Sequence, residues 1–402
     1  MIRLLNLYRG AFANIQSNIW ILAITMFINR SGSMVLLFTS LYLTKELHFT
    51  IANAGFVLSF YGFGSILGSY VGGWLTDRMN FFYIMLFSLI CSGSILLLML
   101  IATSPIFIAA IIFAYAFAAD MFRPANSKAI AAYTSTTNRT RSVSLVRLAI
   151  NLGFSIGPAM GGFVAFYLGY KWLFVIDAFT SFAAAYMLYS YLPMHKEEPK
   201  NNETSLLKDS STSAYRDIPY LFFIILVAFF GICFFQLITS FPQYLHNECH
   251  YHEGTIGLLI GLNGLLVVIF EMPFIAFLEK KQKIFPYIIA GNLCIAAAFS
   301  VLVLGNGTMI FAILYIIILS FSEMFAMPFM FNYALSRPGK DRQGQYSALY
   351  SISYGIANIA APILGLGIAG YYGFDKTFYF FIGLSLIAAF GFMMLNKKEH
   401  KK

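Results

Sequence analysis

Residues 218–245 read IPYLFFIILVAFFGICFFQLITSFPQYL, without one charged side chain or histidine. Coiled as an α-helix at about 1.5 Å per residue, this stretch is longer than the roughly 30 Å of a bilayer's hydrocarbon core. A segment this apolar satisfies its own backbone within lipid when it is helical, so it reads as a membrane crossing.

The same pattern extends in both directions. Polar breaks delimit twelve apolar runs at about 18–43, 52–75, 81–102, 105–131, 142–168, 171–192, 218–245, 254–278, 284–304, 308–334, 345–369 and 375–395. Immediately before the quoted stretch lies HKEEPKNNETSLLKDSSTSAYRD, His195 to Asp217, poor in apolar residues and rich in Ser, Thr and Asn. It reads as a flexible linker. The expected organisation is a six-crossing bundle over 1–192, a cytoplasmic linker over 193–217 and a second six-crossing bundle over 218–402, an all-α membrane protein of two pseudo-symmetric halves.

Composition agrees. Of 402 residues, 59% are hydrophobic and 11% charged, with a mean hydropathy of +0.75, whereas soluble domains carry roughly 25% charged residues. Placing the N-terminus in the cytoplasm puts about 20 of the 26 Lys and Arg on that side and leaves Lys45, Lys171 and Lys376 opposite. That is a strong positive-inside bias. Both termini are then cytoplasmic, and the expected location is a bacterial cytoplasmic membrane. The N-terminal MIRLLNLYRGAFANIQSN is an amphipathic lead-in, and the run behind it is too long for a cleavable signal and contains Arg30.

The net charge of +9 does not point to nucleic acid, because the basic residues sit between apolar runs rather than on one face among stacking aromatics. Cys91, Cys233 and Cys294 lie inside apolar runs, so no disulfide framework or paired-cysteine metal motif is present. His246, Cys249, His250 and His252 fall in a stretch of irregular spacing that reads as a solvated loop. No cofactor and no metal are expected. No HExxH, GxSxG or P-loop motif occurs either, which argues against an enzyme and against direct driving by ATP.

The two halves align. At an offset of 202, Gly55 falls on Gly257, Gly62 on Gly264 and Asp77 on Glu279. At 203, Asp120-Met-Phe falls on Glu323-Met-Phe, and one residue further on Pro158 meets Pro362. Matches in this order indicate a duplicated six-helix unit, the arrangement in which transporters hold solute near the midplane between repeats.

Two motifs carry a resemblance. GGWLTDRMN, Gly72 to Asn80, resembles the loop between helices 2 and 3 of the major facilitator superfamily through Gly73, Leu75, Asp77 and Arg78; Asn80, Phe81 and Phe82 depart from that pattern. NLGFSIGPAMGG, Asn151 to Gly162, is similar to the helix 5 signature of that superfamily's drug:proton antiporters through Gly153, Gly157, Pro158, Gly161 and Gly162. The resemblance implies a twelve-helix fold working by alternating access, with helices 1, 4, 7 and 10 lining a cavity. It also implies that Asp77 caps the start of helix 11, near Asp341 to Gln345, and that helix 5 forms a bendable interface against helix 8.

A charge inside the bilayer costs at least roughly 2.5–3.5 kcal/mol, so intramembrane ionisable residues are functional candidates. Here these are Arg30, Asp120, Arg123, Glu271 and Glu323. Asp120 and Arg123 are three residues apart and can pair. Burial favours the neutral form of a carboxyl, the property a proton-exchanging residue needs. Glu323 is the first choice for proton coupling, followed by Asp120 and Glu271. Asp177 and Arg147 read as structural. Arg30, Asp120, Arg123, Tyr115, Gln236, Asn332 and Tyr333 are candidate cavity residues.

The expected function is export of small amphipathic or lipophilic compounds, driven by the proton gradient. The alternative is uptake of a peptide, sugar or organic anion by a symporter or facilitator, for which Arg30 and Arg123 would hold an anionic group. Expected partners are the small-molecule substrate and the lipid bilayer, with no nucleic acid, for a monomer.

Overall fold

The computed structural model describes residues 15–134, 139–194, 213–279, 284–305, 307–337 and 343–399. Among these no strand occurs, and twelve helical spans are long and apolar enough to cross a membrane. They are α1 (α1a Ser17–Gly32 and α1b Val35–Lys45), α2 (Ile51–Thr76), α3 (Phe81–Leu97), α4 (α4a Pro105–Asp120 and α4b Phe122–Ala132), α5 (Arg139–Leu168) and α6 (Lys171–Tyr191). After the linker come α7 (α7a Ile218–Phe234 and α7b Ser240–Asn247), α8 (Glu253–Glu279), α9 (Phe285–Leu304), α10 (Met309–Ser336), α11 (Gln343–Tyr372) and α12 (Phe374–Glu399).

Every run expected from sequence forms a helix, and local chemistry marks several starts. The Asn80 side chain accepts a hydrogen bond from Phe82 N–H at 2.9 Å, and Asp217 accepts one from Tyr220 N–H at 3.2 Å, each meeting a backbone donor the helix leaves open. Prolines stand in the first turns of α4a, α7a and α9, where the missing N–H costs nothing. Residues 1–14, 195–212 of the linker, Lys280, Lys281, Lys283, Lys340, Asp341 and Arg342 lie outside the described residues.

Three spans are interrupted, which hydropathy did not reveal. α1 breaks at Ser33 and Met34, α4 at Met121, and α7 over Phe235–Thr239 through a short 3-10 turn. The breaks in α1 and α7 lie about 202 residues apart, so the interruption belongs to the repeat.

The chain forms two compact units, one of residues 1–38 and 63–199, the other of residues 39–62 and 200–402. In the first, α1a packs against α5 and α6, and α3 against α4 and α6, around a core that includes Leu22, Met26, Met85, Leu89, Phe122 and Leu188. In the second, α7a packs against α11 and α12, and α9 against α10 and α12. Its core is aromatic: Phe299 stacks near Phe381 at 5.4 Å, and Tyr315 stacks on Phe241 at 4.4 Å. Each pairing in one unit recurs six helices later in the other, and Pro158 and Pro362 lie inside the matching helices α5 and α11. The duplication read from scattered residues is thus a duplication of packing.

Candidate functional site

The α4 site forms where α4a ends. Asp120, only 1% exposed, accepts a hydrogen bond from the Ser65 hydroxyl of α2 and pairs with Arg123, whose Nε lies 2.8 Å from Oδ1. The approach of α2 depends on small residues: a β-carbon added at Gly72 would stand 2.7 Å from the Met121 backbone. The expected pair therefore exists, but its members differ, since the Arg123 side chain is 55% exposed. The charge on Asp120 is held in protein, while that of Arg123 reaches outward.

On α10, Glu323 is the single acidic or basic side chain of a helix 28 residues long. Asn263 of α8 donates to it from 3.4 Å and to the Ser320 hydroxyl from 2.9 Å, and Tyr354 of α11 lies within its electrostatic reach. The α8–α10 contact carries an amide toward the carboxylate, as the α2–α4 contact carries a hydroxyl toward Asp120. Glu271 is buried on α8 two residues before Pro273. One residue beyond that proline, Phe274 meets Phe325 of α10 edge-on at 4.8 Å.

Around the break in α1 the structure departs from expectation. Asp177, read as near water, is 1% exposed on α6. One of its oxygens takes the backbone N–H of Val35, the first residue of α1b, and Arg30 is the charge acting on it. Its Oδ2 and Arg30 Nε are both buried without a hydrogen-bond partner, and the Arg30 guanidinium lies 5.4 Å from the Phe154 ring centre on α5.

Two expected cavity residues are in the packing instead. Gln236, 0% exposed, donates to Ile232 O at 2.9 Å and Ala361 O at 3.1 Å and accepts from Thr239 and Ser240 at 3.0 and 2.7 Å. Its amide satisfies the backbone that the α7 break releases and ties it to α11, which leaves it no surface to present to a solute. Tyr333 is buried among Phe223, at 4.6 Å, and Phe285, at 5.0 Å, with its hydroxyl beside Arg337 and Glu399. Tyr115 is half-buried on α4a and Asn332 exposed on α10.

Sequence reasoning missed the cluster Tyr333 belongs to. Arg337 grips both oxygens of Asp217, at 2.7 and 3.0 Å, and Glu399 at 2.7 Å, while the Tyr346 hydroxyl donates to Asp217 at 3.0 Å. The ends of α10 and α12 and the starts of α7 and α11 are thereby joined. Burial pushes the Asp217 carboxyl up, but the Arg337 bonds and charge, with the Tyr220 N–H and Tyr346 hydroxyl, outweigh it and hold the group below its usual range. Three ionisable residues just beyond expected crossings were the available signal: Asp217 before the seventh, Arg337 after the tenth and Glu399 after the twelfth.

The motif residues divide. Asp77 and Arg78 are exposed at the end of α2, the latter with its guanidinium 3.7 Å from the Trp74 ring centre, and a β-carbon at Gly73 would meet nothing within 4 Å. The stretch from Asp341 expected to meet Asp77 begins outside the described residues. In α5, Gly153, Gly157 and Gly161 face α1: added β-carbons would stand 2.6 Å from Arg30 Cβ, 3.1 Å from Arg30 O and 2.6 Å from Met34 Cβ. Gly162 and Pro158 are buried beside them. The glycine row receives the broken part of α1. His246, placed in a loop by the sequence reading, is in the last turn of α7b, 3.3 Å from Tyr251 O.

The pattern of the family described as Major Facilitator Superfamily matches residues 19–362. The chain is 24% identical over 388 residues to the uncharacterized MFS-type transporter YqjV of Bacillus subtilis, across 92% of this chain and 90% of that protein. To the quinolone resistance protein NorA of Staphylococcus aureus it is 25% identical over 292 residues, 70% of this chain and 71% of that one. Its fold is similar to that of a POT family transporter crystallised with 5-aminolevulinic acid, with a TM-score of 0.82 over 96% of this chain and 97% of the other, at 15% identity.

Proposed function

The chain belongs to the Major Facilitator Superfamily and is a membrane transporter, and on that premise we propose that it exports small amphipathic or lipophilic compounds in exchange for protons. It works by alternating access, with both termini in the cytoplasm of a bacterium and the cytoplasmic membrane as its location. The observation that carries this reading is Glu323, a lone carboxyl partway along an otherwise uncharged apolar helix, facing the amide of Asn263. Such a group survives within a membrane where it does work, and gaining or losing one proton changes the charge of the whole helix. Asp120, with its Arg123 partner, is the matching carboxyl of the first repeat. Similarity to a quinolone resistance protein supports export, as does a chain with few charges and 18% aromatic residues, suited to poorly hydrated solutes.

The test uses purified protein in liposomes with ethidium as the probe solute. Wild type accumulates ethidium when a pH gradient is imposed, and Glu323→Gln binds and exchanges ethidium but does not accumulate it. Gradient-driven accumulation that survives Glu323→Gln removes the residue from this role.

Uptake of an anionic nutrient is the second reading, favoured by the outward reach of Arg123 and the unpartnered Nε of Arg30. Flux measured in vesicles of known orientation separates the two.

A further inference from the structure

The break in α1 has a counterpart in α7, and the two are finished differently. At α7 the freed backbone is met by a neutral side chain with every polar atom engaged, Gln236. At α1 the freed carbonyls of Phe27 and Asn29 are met by the Ser31 and Ser33 hydroxyls, at 2.8 and 3.2 Å, but the first N–H of the new helix is met by a carboxyl, Asp177, beside the charge of Arg30. Packing alone does not require this difference, because the repeat shows that an uncharged amide can close the same kind of break.

Several independent features converge there. Ser33 leaves helical geometry at φ −69° and ψ 47°, and Met34 N–H turns back to Gly32 O at 2.6 Å. The eleven-residue α1b then starts afresh, its first N–H on Asp177, so the positive end of a new helix meets a buried carboxyl. Gly153, Gly157 and Gly161 of α5 bring that helix into contact with the backbone of Arg30 and Ser31 and with Met34. On the α6 side, Asn29 reaches Ser181 Oγ at 3.4 Å. Here Asp177 Oδ2 and Arg30 Nε are both buried without a hydrogen-bond partner. Of the charged and titratable groups on helices packed against α6, Arg30 of α1a acts on Asp177; α3 carries Tyr83 and Cys91, and α5 carries Arg147 and Tyr167.

We propose that Asp177 is a proton-binding site, distinct from Glu323 and Asp120, whose occupancy decides whether α1b is held against α6. Ionised, the carboxylate caps the N-terminus of α1b and balances Arg30. With a proton on Oδ2, the cap loses its charge and the half-buried Arg30 loses the carboxylate that balances it, so the α1a–α1b junction loosens and Arg30 turns toward solvent or an anionic group. α1b runs on through Thr39, where the chain passes from the first compact unit to the second, so a change at this junction acts on a segment shared by both. The proposal does not require the export reading, since it concerns proton binding to unloaded protein.

Infrared difference spectra of the full-length protein in lipid, between about pH 9 and pH 5, read the proton directly, and hydrogen exchange corrected for intrinsic rates reads α1b. In wild type a protonated-carboxyl band grows on acidification, and protection of the amides of Val35–Phe38 falls about five- to tenfold, the size of a lost N-cap. Asp177→Asn removes that band and leaves those amides weakly protected at both pH values. Asp177→Glu, which keeps an ionisable group, retains a pH-dependent band and guards against a folding defect in the Asn variant. Glu323→Gln leaves the α1b response intact, so this test and the transport test fail separately. An acid band undiminished by Asp177→Asn, or amide protection in wild type that does not change with pH, overturns the proposal.

Discussion

Asn263 of α8 donates to Glu323 of α10, amide nitrogen to carboxylate oxygen at 3.4 Å, and holds the Ser320 hydroxyl at 2.9 Å with the same nitrogen. A neutral side chain thus reaches the one acidic or basic group on α10. Asn263→Ala is expected to reduce gradient-driven ethidium transport about tenfold, corresponding to the roughly 1.5 kcal/mol of a hydrogen bond to a charged acceptor. Ethidium affinity, measured by fluorescence in detergent, should change little.

The Asp120–Arg123 pair predicts non-additive stability. Arg123→Ala strands a buried carboxylate that retains only the Ser65 hydroxyl, and should lower stability by about 1–3 kcal/mol. Adding Asp120→Asn removes the stranded charge and should recover part of that loss. Thermal unfolding of the two single variants and the double variant measures it, and strictly additive losses would mean the two residues do not depend on each other.

The glycines of the two sequence motifs should behave in opposite ways. At Gly153 an added β-carbon stands 2.6 Å from Arg30 Cβ, so Gly153→Val must push α1a and α5 apart, at a cost of about 1–3 kcal/mol. Around Gly73 there is open space, so Gly73→Ala should leave the melting temperature unchanged or raise it slightly through helix propensity. A loss of transport in Gly73→Ala without loss of stability would then mark a role in movement.

Asp217 sets an acid limit. Its folded-state carboxyl is held below the usual range, so its bonds to Arg337 contribute stability that is present above the unfolded value of about 4 and fades as pH falls through the lower folded one. Wild type should lose melting temperature on acidification through that window. Asp217→Asn should be less stable at neutral pH and should show a shallower acid decline, as seen in melting curves across pH.

The fold was legible because membrane crossing is a property of composition along the chain. The run from 171 to 192 was predicted, and Lys171–Tyr191 forms α6; the run from 105 to 131 was predicted, and Pro105–Ala132 forms α4. The breaks were not legible. An apolar run hides them, since Leu, Ile and Phe suit either side of a kink, and the signal lies in a few polar residues such as Ser31–Ser33 and Gln236–Ser240 that satisfy the released backbone.

The charges of the site were legible and their surroundings were not. Asp120, Arg123 and Glu323 stood out as costly residues in apolar runs, and the structure gives Asp120 and Glu323 partners from α2 and α8. Gln236 and Tyr333 looked like cavity residues because they are polar or aromatic in cavity-lining helices. Polarity does not say which helical face a residue occupies, and both turned out to satisfy partners inside one unit. Asp177 was judged by its distance from the end of its helix. Six residues of α-helix advance about 9 Å, enough to bury the side chain almost completely beside Arg30 and Val35 of α1.

The central claim, that proton and solute binding are linked through Glu323, is tested most directly by proton release. Ethidium is added to unbuffered, detergent-solubilised protein and the pH change is recorded for wild type and Glu323→Gln. Linked binding predicts that wild type releases protons as ethidium binds, and that Glu323→Gln binds ethidium with no release. Equal release from both proteins, or binding without release in wild type, contradicts it.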